Sequence, residues 1–282
     1  MNNSFSFNRF KMVVRWDFLS NRKQYFSSTV GLAIGIFIMY LLTFQSYRAA
    51  LKSTGEVFTQ QIVTDLIQSC GKVIITIAVI ALFVLAANIF KNMRSKLQRE
   101  AFLMLPASNI EKYLSRFFCM TIGGIAMMFV ATVISDAVIF IFNLMFASGC
   151  YSSLTAASLK ALFGDSMNCV VVNGDTLRGV ADSNIATWIL FIFTHSFFTL
   201  GGSFFNRHPI VLTFCTGFIA GGFLMFGAFE GCSMINPAYC NSSSVFSTIF
   251  LVMLLILTVF NYWASYKLFT RMQIICNKWI NL

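Results

Sequence analysis

Residues 73–91 read VIITIAVIALFVLAANIFK, and residues 91–118 then read KNMRSKLQREAFLMLPASNIEKYLSRFF. The first stretch carries no charge before Lys91. A helix rises 1.5 Å per residue, so about 20 apolar residues cross a hydrocarbon core about 30 Å thick. The second stretch is polar and basic, and a further apolar run follows over 117–147. Together they describe a helical hairpin through a membrane with a charged elbow between its arms.

The same pattern extends outward to six stretches, at 29–46, 73–91, 117–147, 185–205, 210–229 and 245–266. Of the 282 residues, 57% are hydrophobic and 11% charged, about half the charged share of an ordinary soluble domain. Thirty-three Phe and a mean hydropathy of +0.76 leave too little polar surface for a water-soluble core. The reading is an all-α polytopic membrane protein, residues 1–282 forming one six-span domain. The third run is long enough to be tilted or kinked, with Gly123-Gly124 and Asp136 as weak points. No apolar segment precedes residue 29, so the first span is expected to direct insertion.

Orientation follows the basic residues. With both termini inside, the cytoplasmic segments hold 15 of the 20 Lys and Arg against Asp17, Glu100 and Glu111. The outer segments hold Arg48, Lys52, Lys72, Lys160 and Arg178 against six acids. The net charge of +10 is therefore a basic face toward anionic lipid headgroups, with no nucleic-acid partner needed. Cys150 with Cys169, and Cys232 with Cys240, fall in outer loops where disulfides persist. Two His and no Cys-x-x-Cys pair give no metal site of recognisable spacing.

Residues 5–26 mix Phe, Trp and basic residues below spanning length, which predicts an interfacial helix before the first span. Outer residues 47–71 place Val57, Phe58, Ile62, Leu66 and Ile67 at helical spacing and predict an amphipathic outer helix. The outer segment 148–184 is Ser-, Asn-, Asp- and Gly-rich and too short for an enzyme domain. Within the elbow, Pro106 disfavours a helical Leu105, so the descending helix breaks there. Ser108-Asn109-Ile110-Glu111 then forms a capping box. Ile110, Tyr113, Leu114, Phe117 and Phe118 share one face of the new helix, and Asn109, Lys112, Ser115 and Arg116 the other. The polar face is expected to meet a cytoplasmic partner.

At these residues the chain resembles the permease subunits of ABC transporters, the type-2 exporter family. Leu105-Pro106-Ala107-Ser108, then Glu111-Lys112 and Ser115-Arg116, carry the resemblance. So do Asn261-Tyr262-Trp263 through Phe269, and His195-Ser196 followed by Leu200-Gly201. The loop between spans five and six differs, being short and without a pair of re-entrant helices. The resemblance implies a coupling helix between spans two and three, with Pro106, Ser108, Asn109, Glu111, Lys112, Ser115 and Arg116 as its contact to a separate ATP-binding subunit. It also implies a homodimer or heterodimer of permease chains in a bacterial inner membrane, and outward transport of an amphipathic, lipid-like or peptide-like solute. No Gly-x-x-x-x-Gly-Lys-Ser/Thr motif occurs, so no nucleotide cofactor is expected on this chain itself.

Two intramembrane groups remain. A carboxylate at mid-membrane costs about 2.5–3.5 kcal/mol, so Asp136 must face protein or water, either on a solute pathway or as a hydrogen-bonded structural acid. His195 in span four carries the same alternatives, with interhelical bonding the favoured one. An intramembrane enzyme would need paired acids or metal ligands, and only these two are available. A non-catalytic sensor or assembly factor using segment 148–184 is the alternative to transport.

Overall fold

The computed structural model describes residues 5–54, 59–91, 96–146, 151–163, 184–205, 208–235 and 243–271. Among these it forms helices and no strand: α1 (Phe7–Thr54), α2 (Gln60–Ala87), α3 (Lys96–Leu103), α4 (Asn109–Phe146), α5 (Leu154–Phe163), α6 (Asn184–Phe204), α7 (Pro209–Ile235) and α8 (Ser243–Arg271). Five of them, α1, α2, α4, α6 and α8, are long and apolar enough to cross a membrane. The run at 210–229 lies on α7, whose side chains are described only as far as Gly222. Large apolar side chains stand exposed at helical spacing: Ile34, Ile38 and Leu42 on α1, Ile122, Ile125 and Phe129 on α4, Val252, Ile256 and Val259 on α8. Such faces associate in water and are solvated by acyl chains in a bilayer.

The expected interfacial helix and first span are one element, α1, 48 residues long. No Pro or Gly stands between Phe7 and Val30, and the Ser27-Ser28-Thr29 run does not break the helix. Thr29 Oγ1 instead donates back to the Tyr25 carbonyl at 2.9 Å. The expected outer helix over 47–71 is likewise divided between the end of α1 and the start of α2.

The chain divides into two compact units. The first comprises Met1–Asp17, Leu82–Thr121 and Asn168–Leu282; the second comprises Phe18–Ala81 and Ile122–Met167. In the second unit, Tyr40 donates to Asn143 Oδ1, and Ser135 Oγ donates to the Ala33 carbonyl at 2.9 Å. Phe37, Tyr40 and Phe44 each set a ring edge-on to Phe142. Val63, Leu66 and Ile67 bury the outer turns of α2 in the same core. Gly71 lets α5 approach α2: a β-carbon there would stand 2.9 Å from the Ala157 backbone. Gly31 and Gly35, which have packing spacing, meet no neighbour within 4 Å.

In the first unit, α6 packs most extensively on α8 and also on α7. Gly202 brings α6 against the end of α2, where a β-carbon would meet the Ala87 carbonyl oxygen at 2.6 Å. Beside it, Phe90 stacks on Phe269 at 5.2 Å, and both join Val13, Ile89, Phe102 and Tyr113 in one buried cluster.

Candidate functional site

The elbow carries a dense set of side-chain bonds in the first unit. Pro106 has no N–H to offer and restricts Leu105, so α3 ends at Leu103 and α4 begins at Asn109. The capping box closes both ways. Glu111 N–H reaches Ser108 Oγ at 3.3 Å, and Ser108 N–H reaches Glu111 Oε2 at 2.9 Å. The other carboxylate oxygen, Oε1, accepts Ser6 N–H at 2.7 Å and Arg9 Nη2 at 3.1 Å. One buried carboxylate thus meets orphan donors at the starts of both α4 and α1, where a helix dipole favours negative charge.

Two cations complete this arrangement. Lys112 Nζ donates to the Leu103 carbonyl at 2.6 Å, covering an acceptor left at the end of α3. Arg116 Nη1 meets Asp17 Oδ1 at 2.8 Å with both side chains buried, and its guanidinium lies 4.9 Å from the Phe102 ring centre. The faces of the helix depart in part from the sequence reading: Tyr113 of the apolar face is buried and Asn109 of the polar face exposed, but most of the remaining polar face turns inward. Glu111, Lys112, Ser115 and Arg116 are buried, while Ile110, Leu114 and Phe118 are exposed. Pro106 and Asn109 remain exposed, and Ser108 is half-buried. Beside them Leu97 and Met104 present 81% and 76% of their surface, giving the elbow an apolar tip. Arg9 and Asp17, about a hundred residues upstream, hold Glu111 and Arg116 inward, and residues 91–118 read alone contain no trace of them.

Helices α6 and α8 meet along a second polar feature. On α6, His195, Ser196, Thr199 and Ser203 share one face, and all are buried. Across from them, His195 Nδ1 pairs with Tyr262 OH at 3.0 Å, and Asn261 Nδ2 donates to Ser196 Oγ at 3.2 Å. Ser203 pairs with Ser265, which also accepts Tyr113 OH at 3.1 Å. Phe117 sets its edge against both His195 and Tyr262. Ser196, Thr199 and Ser203 also donate to carbonyls of α6 itself, and the bonds from His195, Ser196 and Ser203 to α8 act as interhelical glue in a medium that supplies no hydrogen bonds. Of its members the sequence reading singled out His195 as an ionisable group. Its hydroxyls and amide carry no charge to mark them in an apolar run.

Asp136 belongs to the second unit, and its partners are internal to that unit. Its carboxylate accepts Leu154 N–H at 2.9 Å, Thr155 N–H at 3.1 Å, and the hydroxyls of Tyr151, Ser153 and Thr155 at 2.7–2.9 Å. These five donors surround the start of α5, so Asp136 caps a helix from outside it. Burial, together with the charge of the carboxylate it donates to, pushes the Tyr151 phenol up to about 12. Asp136 and His195 thus lie in different units, each with partners of its own unit. Helix α5 itself was missed in the sequence, where the surrounding polar composition hid ten helical residues.

Cys150, Cys169 and Cys240 lie outside the described residues, as does the side chain of Cys232. Among the described residues Cys70, Cys119 and Cys215 are free, and no group of three His, Cys, Asp or Glu could hold a metal.

With helices and no strand among its described residues, and five helices long and apolar enough to span a bilayer, the chain is a multi-pass membrane protein. Comparison with known proteins gives it no family: no family model, no curated protein and no solved structure matches it.

Proposed function

We propose that the chain is the membrane-spanning subunit of an ATP-driven, ABC-type exporter, and that the elbow couples it to a separate ATP-binding subunit. In this reading six spans cross the bilayer, α7 being the fifth, with both termini on the cytoplasmic side of a bacterial inner membrane. Two such chains form the transport unit. The observation that carries the proposal is the elbow. It is an exposed apolar tip, Leu97, Met104, Pro106 and Ile110, held on a buried charged scaffold. Apolar side chains on a basic cytoplasmic segment favour a protein groove over water.

The scaffold supports coupling by making the tip stiff. Glu111 ties the start of α4 to the start of α1, and Arg116 repeats the tie one turn further on. A displacement of the tip by ATP-driven closure of the partner is then carried into two spanning helices at once, as a rigid-body shift between inward- and outward-facing states. The residues that touch the partner in this reading are Pro106, Asn109 and the apolar tip. Glu111, Lys112, Ser115 and Arg116 act through them as positioning residues.

The test is co-purification in mild detergent. Wild type is expected to retain an ATPase that a Leu97→Asp, Met104→Asp variant loses while its unfolding midpoint stays unchanged. A folded wild type that brings down no ATPase would remove the transport reading and turn attention to the outer segment 148–184.

A further inference from the structure

Helices α6, α7 and α8 leave a cleft of about 690 Å³ between the end of α6, the first turns of α7 and the last turns of α8. That is within the roughly 300–1,000 Å³ of sites that enclose a ligand of moderate size. Phe197, Leu200, Phe204, Trp263 and Leu268 give it an apolar wall, and among the described residues no acidic residue lines it. Lys267 and Arg271, one helical turn apart on α8, stand at the same cleft. Both are exposed, and neither forms an ion pair among the described residues; Lys267 lies 5.8 Å from the Trp263 ring centre. Thr213, a further lining residue, is buried with its side chain packed against Gly201.

An apolar cleft beside two exposed cations fits a molecule with a hydrocarbon chain and an anionic head. We propose that this cleft is a binding site for an anionic phospholipid, with an acyl chain along the Phe and Leu wall and its phosphate on Lys267 and Arg271. Both cations follow a long apolar run at the end of α8, the level at which headgroups lie. An acyl chain from the bilayer fills the cleft without desolvation cost, and the two cations select the headgroup. The site does not depend on the transport reading, since it needs only a bilayer.

The experiment uses the purified full chain in phosphatidylcholine nanodiscs carrying trace phosphatidylglycerol with a photoactivatable acyl chain. Adducts are expected on residues 197–220 and 263–271, displaced by unlabelled phosphatidylglycerol and not by extra phosphatidylcholine. Lys267→Gln and Arg271→Gln should each weaken labelling about fivefold, and the double variant about 25-fold, from the typical worth of a basic residue at a membrane surface. The thermal midpoint of each variant reports that it is folded. Because the adduct map is read on wild type, it stands even where a variant fails to fold. Adducts spread evenly over the lipid-facing helices would overturn the proposal. So would equal displacement by phosphatidylcholine, preferential displacement by oleate, or wild-type labelling in the folded double variant.

Discussion

Glu111 and Asp136 sit on the same helix, α4, and do the same chemical work in different units. Each is a buried carboxylate that accepts backbone N–H groups at a helix start. Glu111 caps its own helix three residues from the cap, a spacing visible in Ser108-x-x-Glu111. Asp136 caps α5, which begins eighteen positions later and on the far side of a loop. One is therefore legible as structure. The other looks like a functional charge stranded in an apolar run until its five donors are seen. The difference teaches that a lone intramembrane acid is assigned by counting its donors, and that a full count argues for architecture.

The comparison can be broken most easily at the elbow. Arg116→Met leaves Asp17 buried without its cation and should cost about 3–5 kcal/mol, read as a fall in the unfolding midpoint in detergent. Adding Asp17→Leu should restore most of that loss, because two apolar groups replace a buried pair at little net cost. Failure of the second change to rescue the first would mean the pair is not a closed unit.

Asp136→Ala should cost about 3 kcal/mol, since the Leu154 and Thr155 N–H groups lose their acceptor. Limited proteolysis should then cut within 151–163 in the variant and not in wild type. Asp136→Asn keeps one acceptor oxygen and should show roughly half the effect. If Asp136→Asn abolishes solute movement while residues 151–163 stay protected, Asp136 is on a pathway and the architectural assignment fails.

The smallest effect belongs to Tyr151. Its phenol is raised from 10.0 to about 12 in the folded chain, so its bond to Asp136 contributes fully below pH 10 and is lost as pH rises through about 12. Tyr151→Phe should cost about 1 kcal/mol at neutral pH. The ultraviolet difference between wild type and variant should show one tyrosinate appearing near pH 12. A step near pH 10 would place Tyr151 in water, away from the carboxylate.

Spanning helices were legible because a hydrocarbon core demands long apolar runs, and the break at Pro106 and the cap at Ser108 because both are local chemistry. The junction inside α1 was misread, since aromatic and basic residues mark an interface without ending a helix. The inward turn of Glu111 and Arg116 was not legible, because Arg9 and Asp17 reach them from another helix. The α6–α8 seam was half legible: His195 is conspicuous, while Ser203 and Ser265 are ordinary in a membrane helix until they pair. Long-range pairing leaves no periodicity in one sequence.

In the proposed function the elbow shows an apolar tip to the cytoplasm and keeps Glu111, Lys112, Ser115 and Arg116 inside. Cysteine accessibility in a background lacking the native cysteines tests it directly, with a membrane-impermeant maleimide applied to inside-out vesicles. Leu97→Cys and Met104→Cys are expected to label rapidly, Ser115→Cys not at all, and none of the three in intact cells. Rapid labelling of Ser115→Cys beside protected Leu97→Cys and Met104→Cys would contradict the account, because it would put the polar face outward and the tip within.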